Sequence, residues 1–344
     1  MLKKIKLFTT LVLGIAVSYG AGPASAASPA AFFKGKNVTI ITATGAGSGY
    51  GIYGRVIAHY MKAHIPGKPN VVMQFMPGGG GSKMLNYLYN AAPKDGTFIG
   101  FPLKFLAINV KIGRKGLKYD PTKFGYLGSL GPINAVAAVW KATSPATTLA
   151  DMKIKQVIMG STGKSSGTYI TPTLMNNLLG TKFKVVTGYR GLAPIELAME
   201  SGEVHGRVAS WSAIKTARSH WLKDKSIALV AQTGLERNFD LPNLPTLLDL
   251  AKTKDAKDII SFFAIADTVG WLMITPPGVP EDRFDALRNA LAKTTSDEAF
   301  VADARKRKIH VSPKPGPEIA AMINETMSTS PALMVKIKKA MGTN

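Results

Sequence analysis

The chain has 344 residues, with 43 Lys+Arg against 21 Asp+Glu, no cysteine and 46% apolar residues. A disordered polymer carries fewer apolar residues and a multi-pass membrane protein more, while the missing cysteines exclude disulfides, thiolate metal sites and a cysteine nucleophile. The length suits about two domains, and the net charge of +22 points to an anionic partner or a basic surface.

Lys3, Lys4 and Lys6 precede an apolar run from Leu7 to Val17, and small residues follow to Ala24-Ser25-Ala26. A charged start, an apolar centre and an A-x-A site predict a secretory signal peptide over 1–26, cut after Ala26. The run is too short to span a bilayer. With no twin-arginine pair, the expected route is Sec-type export to the periplasm.

Beyond it, strand–loop–helix units recur. Val38–Thr42 reads as a strand breaking into Gly45-Ala46-Gly47-Ser48-Gly49-Tyr50-Gly51, with helical spacing until Pro66-Gly67. Val71–Phe75 is a second strand, followed by Pro77-Gly78-Gly79-Gly80-Gly81-Ser82 and a helix carrying Met84, Leu85 and Leu88. Gln156–Met159 leads into Gly160-Ser161-Thr162-Gly163-Lys164-Ser165-Ser166-Gly167, with a helix expected to start at Thr171-Pro172. Lys184–Thr187 leads into Gly188-Tyr189-Arg190-Gly191 and a helix opened by Pro194.

This alternation predicts an α/β fold with largely parallel sheets, whose ligands sit beyond the carboxyl ends of the strands. Two glycine loops lie early and two in the middle, so one pair is expected on each of two domains facing a shared cleft. Tyr126–Trp140 and Phe262–Pro276 are the expected crossovers, and helices near Asp282–Lys293 and Pro317–Met327 are expected to return to the first domain. The resulting division is 27–132 with 268–344 as a discontinuous domain 1, and 133–267 as domain 2.

Acidic residues are unevenly placed. Between Ala27 and Ile195 there are 20 Lys/Arg against Asp95, Asp120 and Asp151 alone; from Glu196 onward the balance is 20 against 18. The acid-poor half carries all four glycine loops, which favours a cleft of positive potential for small anions. Nucleic acid does not fit, because no basic run is interleaved with aromatics.

Other chemistries fail on their details. Gly49-Tyr50-Gly51-Ile52-Tyr53-Gly54 matches the dinucleotide fingerprint, but no acid follows at the ribose position. Gly160–Ser165 is two residues short of a phosphate-cradling Walker loop. Gly163-Lys164-Ser165-Ser166-Gly167 fits G-x-S-x-G, yet Ser165 lies far from the strand end and no acid pairs with a histidine. The five histidines show no metal-ligand spacing, so no metal, catalytic residue or cofactor is expected. Two alternatives stay open: a periplasmic serine hydrolase using Ser165 or Ser48, and a receptor for a zwitterionic quaternary ammonium compound caged by Tyr50, Tyr53, Trp211 or Trp221.

Anion binding is what the glycine loops suit best. A loop entering a helix leaves N–H groups unpaired at the positive end of the dipole, and glycine permits close approach. Gly45, Gly47, Gly49, Gly78, Gly79, Gly80, Gly163 and Gly191 supply that backbone; Ser48, Ser161, Thr162, Ser165 and Ser166 offer hydroxyls; Lys164 and Arg190 offer charge. Tyr50, Tyr189 and Trp211 are candidate walls for a carbon skeleton.

Taken in order, these landmarks resemble the substrate-binding proteins of tripartite tricarboxylate transporters, the Bug-type periplasmic receptors. The resemblance runs through Thr42–Arg55, Met76–Gly81, Ala92-Pro93-Lys94-Asp95-Gly96-Thr97, Tyr119-Asp120-Pro121, Gly160–Gly163 and Thr187–Gly191. It continues in Ser201-Gly202-Glu203-Val204, Leu241–Thr246 and Thr275–Pro280, covering nearly all of the mature chain. It implies a two-domain periplasmic binding protein of the Venus-flytrap type, acting as a monomer and docking to inner-membrane permease subunits. Carboxylate ligands would be held by loops 44–51, which add Thr44 to the candidates, 78–82, 161–166 and 188–191. The chain departs from the family pattern at Gly51 and His205, where relatives often carry aspartate.

Overall fold

The computed structural model describes residues 28–307 and 309–342; the signal-peptide reading falls outside them. Eleven strands among the described residues form two sheets. The first has the order β11-β4-β10-β3-β1-β2, from β1 (Asn37–Thr42), β2 (Asn70–Phe75), β3 (Phe98–Phe101), β4 (Gly125–Ser129), β10 (Leu272–Thr275) and β11 (Lys314–Pro315). The second has the order β7-β6-β8-β5-β9, from β5 (Ala135–Trp140), β6 (Val157–Ser161), β7 (Phe183–Thr187), β8 (Gly206–Ser210) and β9 (Ile227–Gln232).

Within each sheet the strands made by strand–loop–helix units run parallel, β1 to β4 in one and β6 to β9 in the other. The exceptions are β5, β10 and the short β11. Geometry dictates the first two. β4 ends at the cleft edge, and after only residues 130–134 the chain begins β5 at the facing edge, so β5 must run away from the cleft. β10, which returns beside that crossing, is bound by the same constraint. The two crossings are hydrogen-bonded to each other: Leu130 N–H donates to Trp271 O and Trp271 N–H to Gly131 O, both at 3.0 Å.

Two local expectations are corrected. The helix after the Gly160–Gly167 loop starts at Gly167, four residues before the expected cap, because the Ser166 hydroxyl accepts the Thr168 N–H and caps it first. Pro172 then sits inside the helix, which continues into a π turn over Met175–Leu179. Proline can offer no N–H to the carbonyl four residues back, so the ladder loosens there. The next helix opens at Leu192 behind Gly191, ahead of Pro194.

Each sheet has its own core. Val38, Ile40, Ile57, Met61, Leu287 and Phe300 pack on one, and Val139, Val157, Met159, Met175 and Val208 on the other. The Glu281–Ser296 helix packs on β4 and on the Gly49–His64 helix, and the Gly316–Met327 helix packs on β4. The last helix, Pro331–Met341, puts Met334 and Ile337 against Phe262 and Phe263 of the Lys254–Val269 helix, beside Ile108 and Ile112.

A buried ion pair closes the junction between the lobes. Lys104, after β3, meets Asp267 of the Lys254–Val269 helix and also donates to Ile133 O at 3.1 Å. The Thr233 hydroxyl donates to Asp267 at 2.7 Å and accepts the Ala135 N–H at 2.9 Å. Burial pushes the Asp267 carboxyl up, opposed by Lys104. Asp267→Ala strands a buried ammonium, so urea unfolding is expected to show a loss of about 3–5 kcal/mol, with Lys104→Met/Asp267→Leu recovering most of it. A loss below about 1 kcal/mol would show that the pair does not hold the junction.

Candidate functional site

Between the sheets lies a cavity open to solvent and lined by residues of both lobes, the kind of cleft in which small molecules bind. Six helices start against it, presenting cap or first-turn residues. Ser48, Gly49 and Tyr50 open the Gly49–His64 helix; Gly80 and Gly81 precede Ser82–Asn90; Phe105 precedes Leu106–Lys111. From the other sheet come Ser166–Thr168, Gly191–Leu192 and Ser210, which open Gly167–Leu174, Leu192–Glu200 and Trp211–Ala217. The cause is the sheet sense: parallel strands end at this edge, and the helix that follows each begins there.

Helix starts carry N–H groups without intrahelical partners and partial positive charge. Among the described residues, the N–H groups of Gly49, Tyr50, Gly167 and Leu192 have no hydrogen-bond partner. Among the described residues, Lys104 and Arg190 are the only charged ones lining the cavity, and none of the lining residues is a carboxylate.

The hydroxyls are less available than the sequence suggests. Ser48 Oγ donates to Gly45 O at 2.7 Å and accepts the Gly51 N–H at 3.1 Å. Its one proton is thereby spent, so Thr44 Oγ1, 2.7 Å away, must be the donor to Ser48. In the second loop, Thr162 Oγ1 donates to Ser166 Oγ at 2.9 Å, while Thr168 Oγ1 takes the Thr162 N–H at 3.0 Å and bonds Ser161 and Ser166. These bonds shape the loops and leave recognition chiefly to main-chain donors. Burial raises the Tyr50 hydroxyl well above the ordinary tyrosine range, so it stays protonated. Tyr189 donates to Glu203 at 2.5 Å, and burial and that carboxylate push it up to about 12.

Of the residues singled out from sequence, Thr44, Ser48, Gly49, Tyr50, Gly78, Gly80, Thr162, Ser166, Tyr189, Arg190 and Gly191 line the cavity. Gly45, Gly47, Gly79, Ser161, Gly163, Lys164, Ser165 and Trp211 do not. Lys164 is exposed, and Ser165 is buried with its carbonyl accepting from Asn109 at 2.7 Å. Trp211 lies in a separate cavity behind the junction, its indole N–H on Asp240 at 2.8 Å. Sequence reasoning missed Lys104, Leu103, Phe105 and Ile133, whose segments contain no glycine run.

The two departures from the family pattern have local causes. A Cβ at Gly51 would run into the Ala46 carbonyl, so the tight loop before the helix requires glycine here. His205 Nδ1 accepts the Ile158 N–H at 3.1 Å, and burial lowers its pKa.

Neither open alternative finds its parts assembled. His205 is engaged on β6 and the His220 ring sits against Trp221, while among the described residues neither bonds Ser165 or Ser48. Tyr53 stacks on Trp271 and Trp221 packs on Trp140, so the four aromatic rings do not share a cage.

The lobes touch across the cavity mouth backbone to backbone. A Cβ on Gly80, which has φ +66°, would lie 2.8 Å from Ser166 N, and one on Gly163 would lie 2.8 Å from Gly80 N. Gly80→Ala is therefore expected to block this contact and weaken ligand binding by about tenfold or more. Small-angle scattering of that variant in excess ligand is expected to show no compaction. Gly45→Ala, with open space around its Cβ, is expected to behave as the parent; equal compaction of both variants would contradict the contact.

The sequence model of the tripartite tricarboxylate transporter family receptor matches residues 54–339. The structure of the periplasmic binding protein BugD is similar over 89% of this chain and 97% of its own, at 18% identity and TM-score 0.68. Rpa4515 of R. palustris with adipate gives the same coverages, identity and TM-score. MatC of Rhodopseudomonas palustris with bound malate is similar over 88% of this chain and 99% of its own, at 19% identity and TM-score 0.68. No curated protein matches the sequence.

Proposed function

The chain belongs to the tripartite tricarboxylate transporter receptor family and is a solute-binding receptor; from that premise we propose that its solute is a small organic anion, a carboxylate. Main-chain N–H groups at converging helix starts hold the carboxylate, and the protein releases it chemically unchanged. The observation that carries this reading is the cavity lined by six helix N-termini and, among the described residues, by no acidic one. Support comes from Rpa4515 with adipate and MatC with malate, which share the fold.

In this reading, residues 1–26 direct export to the periplasm and are removed. The two lobes, 27–132 with 268–344 and 133–267, close on the ligand by rotation about the crossings at 130–134 and 267–271. The closed monomer then docks to inner-membrane permease subunits, which read occupancy from the shape of the closed form. The ligand-contacting set is Thr44, Gly49, Tyr50, Gly78, Gly80, Thr162, Ser166, Tyr189, Arg190 and Gly191, joined by Lys104 and Phe105.

Calorimetry of the mature protein tests the anion reading. A carboxylate is expected to bind at least about tenfold more tightly than its uncharged amide, because charge-assisted bonds to main-chain donors are the stronger kind. Equal or tighter binding of neutral or cationic compounds would overturn it.

A further inference from the structure

We propose that the ligand is a monocarboxylate with an apolar body, an inference that rests on the anion reading and narrows it. Side chains leave the ligand one charge to pair with. Of the two cations lining it, Lys104 is matched by Asp267, and that pair is neutral whichever group holds the proton. The junction network uses the ammonium further, through Ile133 O, and Thr233 completes the carboxylate. Arg190, exposed at the cavity, has no acidic partner among the described residues. One uncompensated side-chain charge is thus left to pair directly with a carboxylate, beside the main-chain donors of the helix starts.

The walls set the remainder of the ligand. Phe105, Ile133, Ala135, Val208 and Ala209 are buried and line the cavity, with Leu103 beside them. None of these side chains can donate to an anion. A second carboxylate against them would lose its water shell without gaining a partner, whereas an alkyl or aryl group gains contact there. The buried Lys104–Asp267 pair is thus a device for selectivity: the lysine's stem completes the wall while its charge is withheld from the ligand.

The test is calorimetry of the mature protein with hexanoate, benzoate, adipate, malate and hexanamide. Hexanoate or benzoate is expected to bind at least about tenfold more tightly than adipate and malate. Adipate or malate binding as tightly as the monocarboxylates, or more so, would overturn this inference and leave the anion reading standing. Hexanamide matching hexanoate, or no acid binding at all, would overturn the anion reading itself. In Asp267→Asn the lysine charge is released to the cavity, and the hexanoate-to-adipate affinity ratio is expected to fall about tenfold. An unchanged ratio in a folded variant would remove the neutralised pair from the account of selectivity.

Discussion

Everything about the site follows from where the parallel strands end. A strand that finishes at the cleft hands the chain to a helix that begins there, and a helix begins with N–H groups its own backbone cannot use. Repeating that unit in two facing sheets brings six such starts around one volume. The dipoles add in the same sense. An acidic side chain among them would be drawn in and would cancel the site, which gives physical meaning to a first half carrying three acids against 20 basic residues.

The same constraint explains how the lobes are joined. Because the chain changes sheets at the cleft edge, both crossings lie side by side, and main-chain hydrogen bonds tie them into a two-stranded link. A link of this form bends more readily than it stretches, which suits the proposed closure by rotation. Lys104, Asp267 and Thr233 sit at that link and bring together the segment after β3, the returning helix and the segment after β9. On the opposite side, the Gly80 and Gly163 backbones meet with no room for a side chain. The positions of these two features, one at the axis and one at the mouth, are those that a closing cleft needs.

Much of this was legible in the sequence because it is local. The strands before the glycine loops, the helix ends at Pro66-Gly67 and the acid-poor half are properties of neighbouring residues, and the structure keeps them. The misreadings arise where one local signal outcompetes another. By sequence Pro172 marks a helix start, but Ser166, six residues earlier, offers a hydroxyl cap and takes precedence. The Ser48 hydroxyl reads as a ligand donor, but a proton count across its hydrogen bonds spends it within the loop.

The rest could not be read because it depends on partners far along the chain. Nothing in its own segment marks Lys104; only the fold reveals Asp267, 163 positions later, beside it. Trp211 follows the cavity-lining Ser210, yet Asp240 draws its ring to the rear of the junction. The most direct test of the central claim is amide NMR of the mature protein titrated with a bound carboxylate. The account predicts the largest shifts at the amides of Gly49, Gly80, Gly167 and Leu192. Shifts confined instead to the rear cavity, around Trp211 and Phe239, would contradict it.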